Sequence, residues 1–344
     1  MSLFDHRDAF SDHADIGSTL AFEYMVASSN PLITIAIPTF RRHGLLMEAV
    51  ASALAQSRYA DYEIVIVDND PDADEQTLVA IQDCITQYPN IAIRYYINKA
   101  NLGMFGNWNR CIELANGRWV TILNDDDVLR PDFLRKTTDA ISRNPLIDAI
   151  VCRKGTYDRR KSHNADRHSH VSDLLKKAFT RLRFGLGGSR RVTPRSFFFG
   201  NEIGNGLGFL FKRQVAIDIG GYKPERFPAA DVYFYLQISV NFHFIWLWDV
   251  LADVGVGDNE SMRRENLEQW VRQGVDIRNQ LREGYIPLLW WKMNDQLTAN
   301  TIFDAKKIWD VDLNAQVFEE EFKKKLPPPN YKRVRLFRIV HAAF

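Results

Sequence analysis

Between residues 32 and 152, short apolar segments alternate with longer segments whose apolar residues recur at helical spacing. The short segments are six or seven residues long and rich in β-branched residues, which is typical of buried strands. This alternation predicts a parallel sheet covered by helices on both faces. The predicted strands are 32–37, 62–67, 91–97, 118–123 and 147–152, and the predicted helices are 44–56, 74–87, 104–115 and 131–143.

The alternation ends at residue 152, and the rest of the chain follows a different plan. Helical spacing dominates from about residue 263 to about residue 325. We therefore predict an irregular N-terminal extension (1–30), an α/β domain (31–260) and a helical C-terminal region (261–344). Between residues 152 and 263, the predicted strands are 207–211 and 242–248, and the predicted helices are 213–219 and 231–240.

Charge is unevenly distributed in a chain whose formal net charge is only +1. Residues 153–195 carry thirteen Lys or Arg against three Asp, and residues 322–344 carry seven Lys or Arg and no acid. Such basic segments are consistent with contact to phosphate or a lipid surface, and also with solvated segments. For the tail (322–344) we favour a membrane surface over a packed final helix or an oligomer contact. We expect no nucleic-acid partner.

The three cysteines, Cys84, Cys111 and Cys152, show no metal-site spacing and predict free thiols in a reducing compartment. The N-terminus has early acids and no apolar core of a signal peptide. No apolar run approaches the ~20 residues of a membrane-spanning helix. We therefore expect a cytoplasmic protein, at most peripheral on the inner face of the cell membrane.

Three of the predicted strands end in distinctive polar segments, at 38–42, 68–70 and 124–127. In an open parallel sheet these ends meet at one edge, where ligands bind. The segment 124–127 reads Asn-Asp-Asp-Asp, and adjacent carboxylates repel one another unless a cation neutralises them. Mg²⁺ and Mn²⁺ prefer such oxygen ligands and leave positions for substrate phosphates. The alternative is a solvated acidic turn near a helix N-terminus.

The strand ends belong to longer motifs that follow one another in a fixed order. Over residues 32–135 these motifs resemble the family 2 glycosyltransferases of the GT-A fold, which carry L-D-x-D-D-x-x-x-P-D-F-L at the last of them. The resemblance continues more weakly over 208–231. It implies a GT-A fold with a nucleotide-sugar-binding half (31–135) and an acceptor half (136–260). The motifs are ITIAIPTFRR, YEIVIVDND, NLGMFGNWN and GRWVTILNDDDVLRPDFL.

Carried over to matching positions, the resemblance implies roles for ten residues. Asp231 would be the general base, and Asp68 and Asp125 would bind the nucleotide base and the ribose. Asp126 would hold a divalent metal ion, Mn²⁺ or Mg²⁺, with Asp127 beside it. The other residues implied to line the nucleotide-sugar pocket are Pro38, Thr39, Arg41, Asn101 and Gly103.

The activity implied by the resemblance is inverting transfer from a nucleotide-sugar, in the first place a UDP-sugar. The implied acceptor is a glycan or a lipid-linked glycan in bacterial surface polysaccharide biosynthesis, of the O-antigen, capsule or lipopolysaccharide type. The leaving diphosphate develops charge that a metal ion neutralises. A carboxylate takes the proton of the attacking hydroxyl.

The sequence also departs from the family pattern. Asn124 stands where the family has Asp, Trp108 replaces an arginine, and Ala230 replaces a glutamate. The stretch 254–262 lacks a histidine, for which Asp258 is a candidate substitute. These departures keep open a non-catalytic binding protein on the same fold. A nucleotidyltransferase is a further alternative, but it predicts a Gly-rich loop after the first strand, and this chain has none there.

Overall fold

A computed structural model describes residues 7–24, 31–56, 61–85, 88, 91–157, 188–255 and 264–341. Within these ranges the chain forms one mixed sheet with helices on both of its faces. Most of the basic segment 153–195 lies outside the described residues, as does Asp258.

The described strands form a single sheet with spatial order β1-β4-β3-β2-β5-β9-β7-β10-β6, and β8 also pairs with β10. Neighbouring strands are parallel from β4 to β5 and between β7 and β10. β9 runs antiparallel between β5 and β7. The strands are β1 (Ser18–Tyr24), β2 (Ile33–Thr39), β3 (Tyr62–Asp68), β4 (Ala92–Asn98), β5 (Trp119–Ile122), β6 (Val128–Leu129), β7 (Ala149–Tyr157), β8 (Ser189–Arg191), β9 (Phe209–Lys212) and β10 (Phe244–Gly255).

Helices connect these strands and then form the C-terminal region. In the described ranges, three short 3₁₀ helices lie at Ala9–His13, Pro194–Phe197 and Pro224–Arg226. The described α-helices are α1 (His43–Leu54), α2 (Glu75–Ile85), α3 (Gly103–Leu114), α4 (Phe133–Arg143), α5 (Arg213–Asp218), α6 (Ala230–Asn241), α7 (Arg264–Arg282), α8 (Leu288–Trp291), α9 (Asn294–Trp309), α10 (Ala315–Glu321) and α11 (Tyr331–His341).

The apolar runs of the central strands exist because both faces of the sheet are covered. Every residue of β2 and β3 is buried. Successive residues of β2 point to opposite faces, so Ile35 and Ile37 join one core cluster and Ala36 joins the other. Each fully buried isoleucine contributes about 1.5–3 kcal/mol by leaving water. The predicted α/β fold with a mostly parallel sheet is confirmed.

The structure differs from the prediction at β1, β6 and β8, which were not predicted as strands, and at β9. Residues 18–24, expected to be irregular, form strand β1, which pairs antiparallel with β4 and places Phe22 opposite Tyr95. None of its seven residues is fully buried, although Leu20, Phe22 and Tyr24 recur at the two-residue spacing of a half-buried strand. β9 matches a predicted strand, but its antiparallel direction makes the sheet mixed. The domain boundaries at residues 31 and 261 stay a prediction.

The C-terminal helices pack together and against the domain. α7 and α9 share a third core cluster that includes Val271 and Ile302. In α11, Phe337 packs against Phe199, with ring centroids 6.3 Å apart, and Arg338 pairs with Glu202. Residues 331–341 therefore form a packed final helix, and the membrane contact of the tail stays a prediction. Among the helices in the described ranges, none has the length and apolarity to cross a bilayer.

Candidate active site

A cleft of about 1020 Å³ opens at the carboxyl ends of the parallel strands and extends to the C-terminal helices. Of the ten predicted site residues, eight line it. In the described part of the chain, Arg41 and Asp68 are not among the lining residues. Those that line it are Pro38, Thr39, Asn101, Gly103, Asp125, Asp126, Asp127 and Asp231.

The first two aspartates of the acidic loop (residues 124–127) are held beside an arginine. Thr39 Oγ1 donates to Asp125 Oδ2 at 2.8 Å. Arg42 Nη1 lies 3.3 Å from Asp125 Oδ1 and 3.2 Å from Asp126 Oδ2. Burial raises the pKa of Asp125 to about 6, and the Thr39 hydrogen bond and the Arg42 charge act against this. A cation therefore already bridges the two carboxylates.

The neighbouring arginine has a different partner. Arg41, the residue predicted from the sequence, pairs with Asp70 at 2.6 Å, and 62% of its side chain is exposed. Its backbone is in the left-handed region, with φ of 55°. This local turn sends the two consecutive arginines to different acids. Sequence reasoning chose Arg41 and missed Arg42, because adjacent arginines look alike without the backbone angle.

Asp127 is fastened more tightly than the other two aspartates. Its carboxylate accepts hydrogen bonds from Gly255 N at 2.9 Å, Asn124 Nδ2 at 3.1 Å and Asn205 Nδ2 at 3.3 Å. Its residue exposure is 1%, whereas 26% of the Asp126 side chain is exposed. Asp127 thus connects the acidic loop to β10 and to the loop containing Asn205, and Asp126 is the more accessible carboxylate.

The Asp127→Ala variant is expected to lose stability on the order of 3 kcal/mol, because one buried and two partly buried donors would lose their acceptor. The control Asp126→Ala, which removes a partly exposed ion pair in the same loop, should cost about 1 kcal/mol or less. Urea unfolding of both variants at pH 5 measures the difference, because burial raises the pKa of Asp127 to about 6 and the cost of its ionised form would offset the loss at higher pH. Equal losses of stability would contradict the structural role of Asp127.

Buried asparagines shape the loop that contains Asn101 and Gly103. Asn69 Nδ2 donates to Asn101 Oδ1 at 2.8 Å, and Asn69 Oδ1 accepts from Asn98 Nδ2 at 3.0 Å and from Leu102 N at 2.9 Å. Gly103 has φ of 72°, a left-handed conformation that favours glycine. Asn69 lines the cleft as well. The only sequence signal for this network is the presence of asparagines at and after the ends of β3 and β4.

Asp68 lies at the carboxyl end of β3, beneath this loop. Tyr95 Oη donates to its Oδ2 at 2.9 Å, and Asp70 N donates to its Oδ1 at 3.0 Å. Its residue exposure is only 4%, and burial is the main cause that raises the pKa of the carboxyl. In this structure Asp68 is therefore held by Tyr95 and by its own turn, and it is not among the residues that line the cleft.

Asp231 is a buried carboxylate in the first turn of α6, and it lines the cleft. Its Oδ1 accepts from Val232 N at 2.8 Å. Burial raises the pKa of Asp231 to about 7, and the Val232 N–H and the Lys154 charge act in the opposite direction. The carboxylate is therefore poised to exchange a proton near neutral pH.

Lys154, in β7, is a cleft residue that sequence reasoning missed. Its ammonium donates to Ile203 O at 2.9 Å, to Asn205 Oδ1 at 3.0 Å and to the Asn205 carbonyl. Burial lowers the pKa of Lys154 to about 8, whereas the charges of Asp231 and Asp127 raise it. Lys154 lies inside the basic segment 153–195, so its sequence context did not distinguish it from solvated lysines.

Aromatic rings form the wall next to Asp231. Tyr222 stacks on Phe234 with a centroid distance of 4.0 Å, and Trp108 meets Tyr222 edge to face at 5.1 Å. Trp108, which stands in place of the family's arginine, lines the cleft. Burial among such rings accounts for the upward direction of the pKa shift of Asp231.

The acidic loop can hold a divalent metal ion only with help from a ligand. Among the residues that the structure describes, no group of three or more Asp, Glu, His or Cys side chains is placed around a common metal position. Mg²⁺ commonly binds through one or two carboxylates, with waters and substrate phosphates completing its shell. Asp126, with Asp125 next to it, fits such a site.

Comparison with known proteins identifies the family of the chain. Residues 34–217 match the family model "Glycosyl transferase family 2". An uncharacterized protein of Mycobacterium tuberculosis is 25% identical over 292 residues, which are 83% of this chain and 82% of that protein. A Campylobacter jejuni protein named GalNAc(5)-diNAcBac-PP-undecaprenol beta-1,3-glucosyltransferase is 33% identical over 183 residues, 50% of this chain and 57% of the relative.

Two solved structures share the fold. Staphylococcus aureus TarS 1–349, solved in complex with UDP-GlcNAc, has a TM-score of 0.54 at 13% identity, covering 86% of this chain and 76% of the TarS 1–349 chain. The mannosyltransferase PcManGT from Pyrobaculum calidifontis, solved with GDP-Man and Mn²⁺, has a TM-score of 0.55 at 18% identity, covering 87% of this chain and 82% of PcManGT. At these identities the likeness concerns the fold.

Proposed function

The chain belongs to glycosyl transferase family 2, and from that premise we propose that it transfers a sugar from a nucleotide-sugar to a glycan or lipid-linked acceptor, with inversion at the anomeric carbon. We take the donor to be a UDP-sugar and the pathway to be bacterial surface polysaccharide biosynthesis. The observation that carries the proposal is one cleft that holds both the Asp125–Asp126 pair, bridged by Arg42, and the buried Asp231.

The relatives support the choice of substrates. The Campylobacter jejuni relative is named as a glucosyltransferase acting on an undecaprenol-diphosphate-linked glycan. TarS was solved with UDP-GlcNAc, whereas PcManGT was solved with GDP-Man. These neighbours favour a nucleotide-sugar donor without deciding the base.

In the proposed donor site the nucleotide binds at the acidic edge of the sheet, which consists of the polar strand ends at 38–42, 68–70 and 124–127. Asp125, fixed by Thr39, would accept from the ribose, and Asp68, held by Tyr95, would hydrogen-bond the base. Asp126 would hold a divalent ion, Mn²⁺ or Mg²⁺, which when bound neutralises charge on the leaving diphosphate. The remaining proposed contacts are those of Pro38, Arg41, Asn101 and Gly103, with Asp127 supporting the loop.

The transfer step needs a base on the acceptor side. The acceptor oxygen bonds to the anomeric carbon while the bond from that carbon to the diphosphate oxygen breaks, and the hydroxyl proton passes to Asp231. A carboxylate with a pKa of about 7 can accept this proton at physiological pH and release it afterwards. Lys154 favours the ionised form of Asp231 by its charge.

Titration calorimetry of UDP tests this proposal. We expect UDP to bind in the presence of Mn²⁺ and to bind much more weakly in EDTA, since the phosphates complete the metal site. GDP and dTDP, titrated in the same way, identify the preferred base. A chain that binds none of the three with Mn²⁺ would contradict the proposal and favour a non-catalytic protein on this fold.

A further inference from the structure

A buried arginine lies in the cleft wall that the C-terminal helices contribute. Arg278, in α7, is only 4% exposed and lines the same cleft as Asp231. Burying a guanidinium is costly unless a charge partner compensates for its lost hydration. Burial accordingly lowers the pKa of Arg278 to about 10.

The partners of Arg278 are both neutral. Its Nε donates to Asn294 Oδ1 at 2.6 Å, and its Nη2 donates to Thr298 Oγ1 at 2.8 Å, which connects α7 to α9. The nearby Asp295 raises the pKa of Arg278 only by its charge, and its carboxylate pairs with Lys324 at 2.5 Å. Within the described ranges, no carboxylate forms an ion pair with Arg278, and no hydrogen bond is made by its Nη1.

A glycine keeps the side of Arg278 that bears Nη1 open. Gly274 lies one turn earlier on α7 and also lines the cleft. A Cβ atom at position 274 would lie 3.4 Å from Arg278 Nη1 and 4.0 Å from Nη2. Glycine inside a helix lowers the stability of that helix by about 1 kcal/mol relative to alanine, so a compensating role is expected at position 274. Access from the cleft to Nη1 is such a reason.

We propose that Arg278 binds an oxyanion, a phosphate or a carboxylate, carried by the acceptor. This inference rests on the proposed function, since it assumes a donor site at the acidic edge of the sheet. The C-terminal helices line the same cleft as the acidic loop and Asp231 without belonging to the proposed donor site, so we assign a group bound at Arg278 to the second substrate. A ligand anion would supply the charge that Asn294 and Thr298 do not, and end-on contact with Nη1 is the geometry left open.

The test is the binding of two small anions to the full chain, measured by the rise in melting temperature with anion concentration. Inorganic phosphate stands for a phosphate-bearing acceptor and D-glucuronate for an acidic sugar. Each is titrated with the donor site filled by UDP and Mn²⁺, and again without nucleotide. Whichever anion binds more tightly identifies the source of the charge.

Two variants remove the site by different means. Arg278→Met removes the cation, and Gly274→Ala leaves the cation and both neutral partners in place while covering Nη1. We expect each to weaken anion binding about ten- to hundredfold, the range for losing a hydrogen bond to a charged group. The matched control Thr298→Val removes one neutral partner and should bind the anion at least as well as the wild type.

The outcomes separate the two levels of the proposal. Failure of UDP to bind with Mn²⁺ counts against the proposed function, whereas the titrations without nucleotide still report on Arg278. Equal anion affinity in the wild type, Arg278→Met and Gly274→Ala would overturn the proposal, as would a wild type that binds neither anion. In those cases Arg278 serves only to join α7 to α9.

Discussion

The Asp231→Asn variant is expected to lose sugar transfer by about 10²- to 10⁴-fold, the usual contribution of a positioned general base. Asparagine has nearly the same shape and cannot accept the acceptor proton. Donor binding should remain, because the acidic edge of the sheet is unchanged. Steady-state transfer assays, together with calorimetry of UDP and Mn²⁺, measure both quantities on the same preparation.

The same variant should be more stable than the wild type at pH 8. The pKa of Asp231 is about 7 in the folded protein, against about 3.9 in an unfolded chain. The folded state therefore binds more protons between these values, and the free energy of unfolding falls as pH rises through this window. The asparagine side chain of the variant does not ionise. We therefore expect it to have a higher melting temperature than the wild type at pH 8, with a smaller difference near pH 4.

The pH profile of the wild type provides a third readout. Transfer should decline below a pH of about 7, as Asp231 becomes protonated. The Lys154→Met variant removes a charge that favours the carboxylate, so its acid limb should move to higher pH. A purely structural lysine would change stability without moving that limb.

Asp276→Asn is the matched control for a carboxylate near α6. Asp276 accepts from Tyr233 Oη at 2.7 Å, and it does not line the cleft in the described part of the chain. The Asp276→Asn variant should retain sugar transfer and the wild-type pH profile of that activity. Normal transfer by Asp231→Asn would exclude Asp231 as the base.

The Asp126→Ala variant is expected to abolish metal-dependent donor binding. Asp126 is the accessible carboxylate of the acidic loop, whereas Asp125 accepts from Thr39 and Asp127 accepts from three donors. Even residues that only orient a metal ligand commonly cost 10–100-fold in metal affinity when mutated, so loss of the ligand itself should cost about a hundredfold or more. Calorimetry of UDP with Mn²⁺, and again in EDTA, measures this difference.

Asp127→Asn is the comparison within the same loop. It keeps the size of the side chain and one acceptor oxygen, so Mn²⁺-dependent binding should persist. The opposite result, with Mn²⁺ dependence retained by Asp126→Ala and lost by Asp127→Asn, would assign the metal to Asp127. The guanidinium of Arg42 lies close to both Asp125 and Asp126. We therefore expect it to move away from these carboxylates when a metal ion binds.

The fold was largely predictable because its signals are local. Buried strands such as β2 and β3 are continuous apolar runs, and their helices show helical spacing, so each element is specified by its own residues. The exceptions are elements with little buried surface. β1 is a partly exposed edge strand, and β6 and β8 are two and three residues long. Such segments are strands because a neighbour pairs with them.

The sequence by itself determined the order of strands and helices and the edge of the sheet at which polar residues collect, since strand ends are marked by the chain's own turn residues. The tertiary structure alone decided which polar groups act together. It turned Arg42 rather than Arg41 toward the acidic loop, buried Lys154 near Asp231, and placed Arg278 in the wall of the same cleft. These relations depend on backbone angles and on packing between elements far apart in the chain, and no local pattern of residues encodes them.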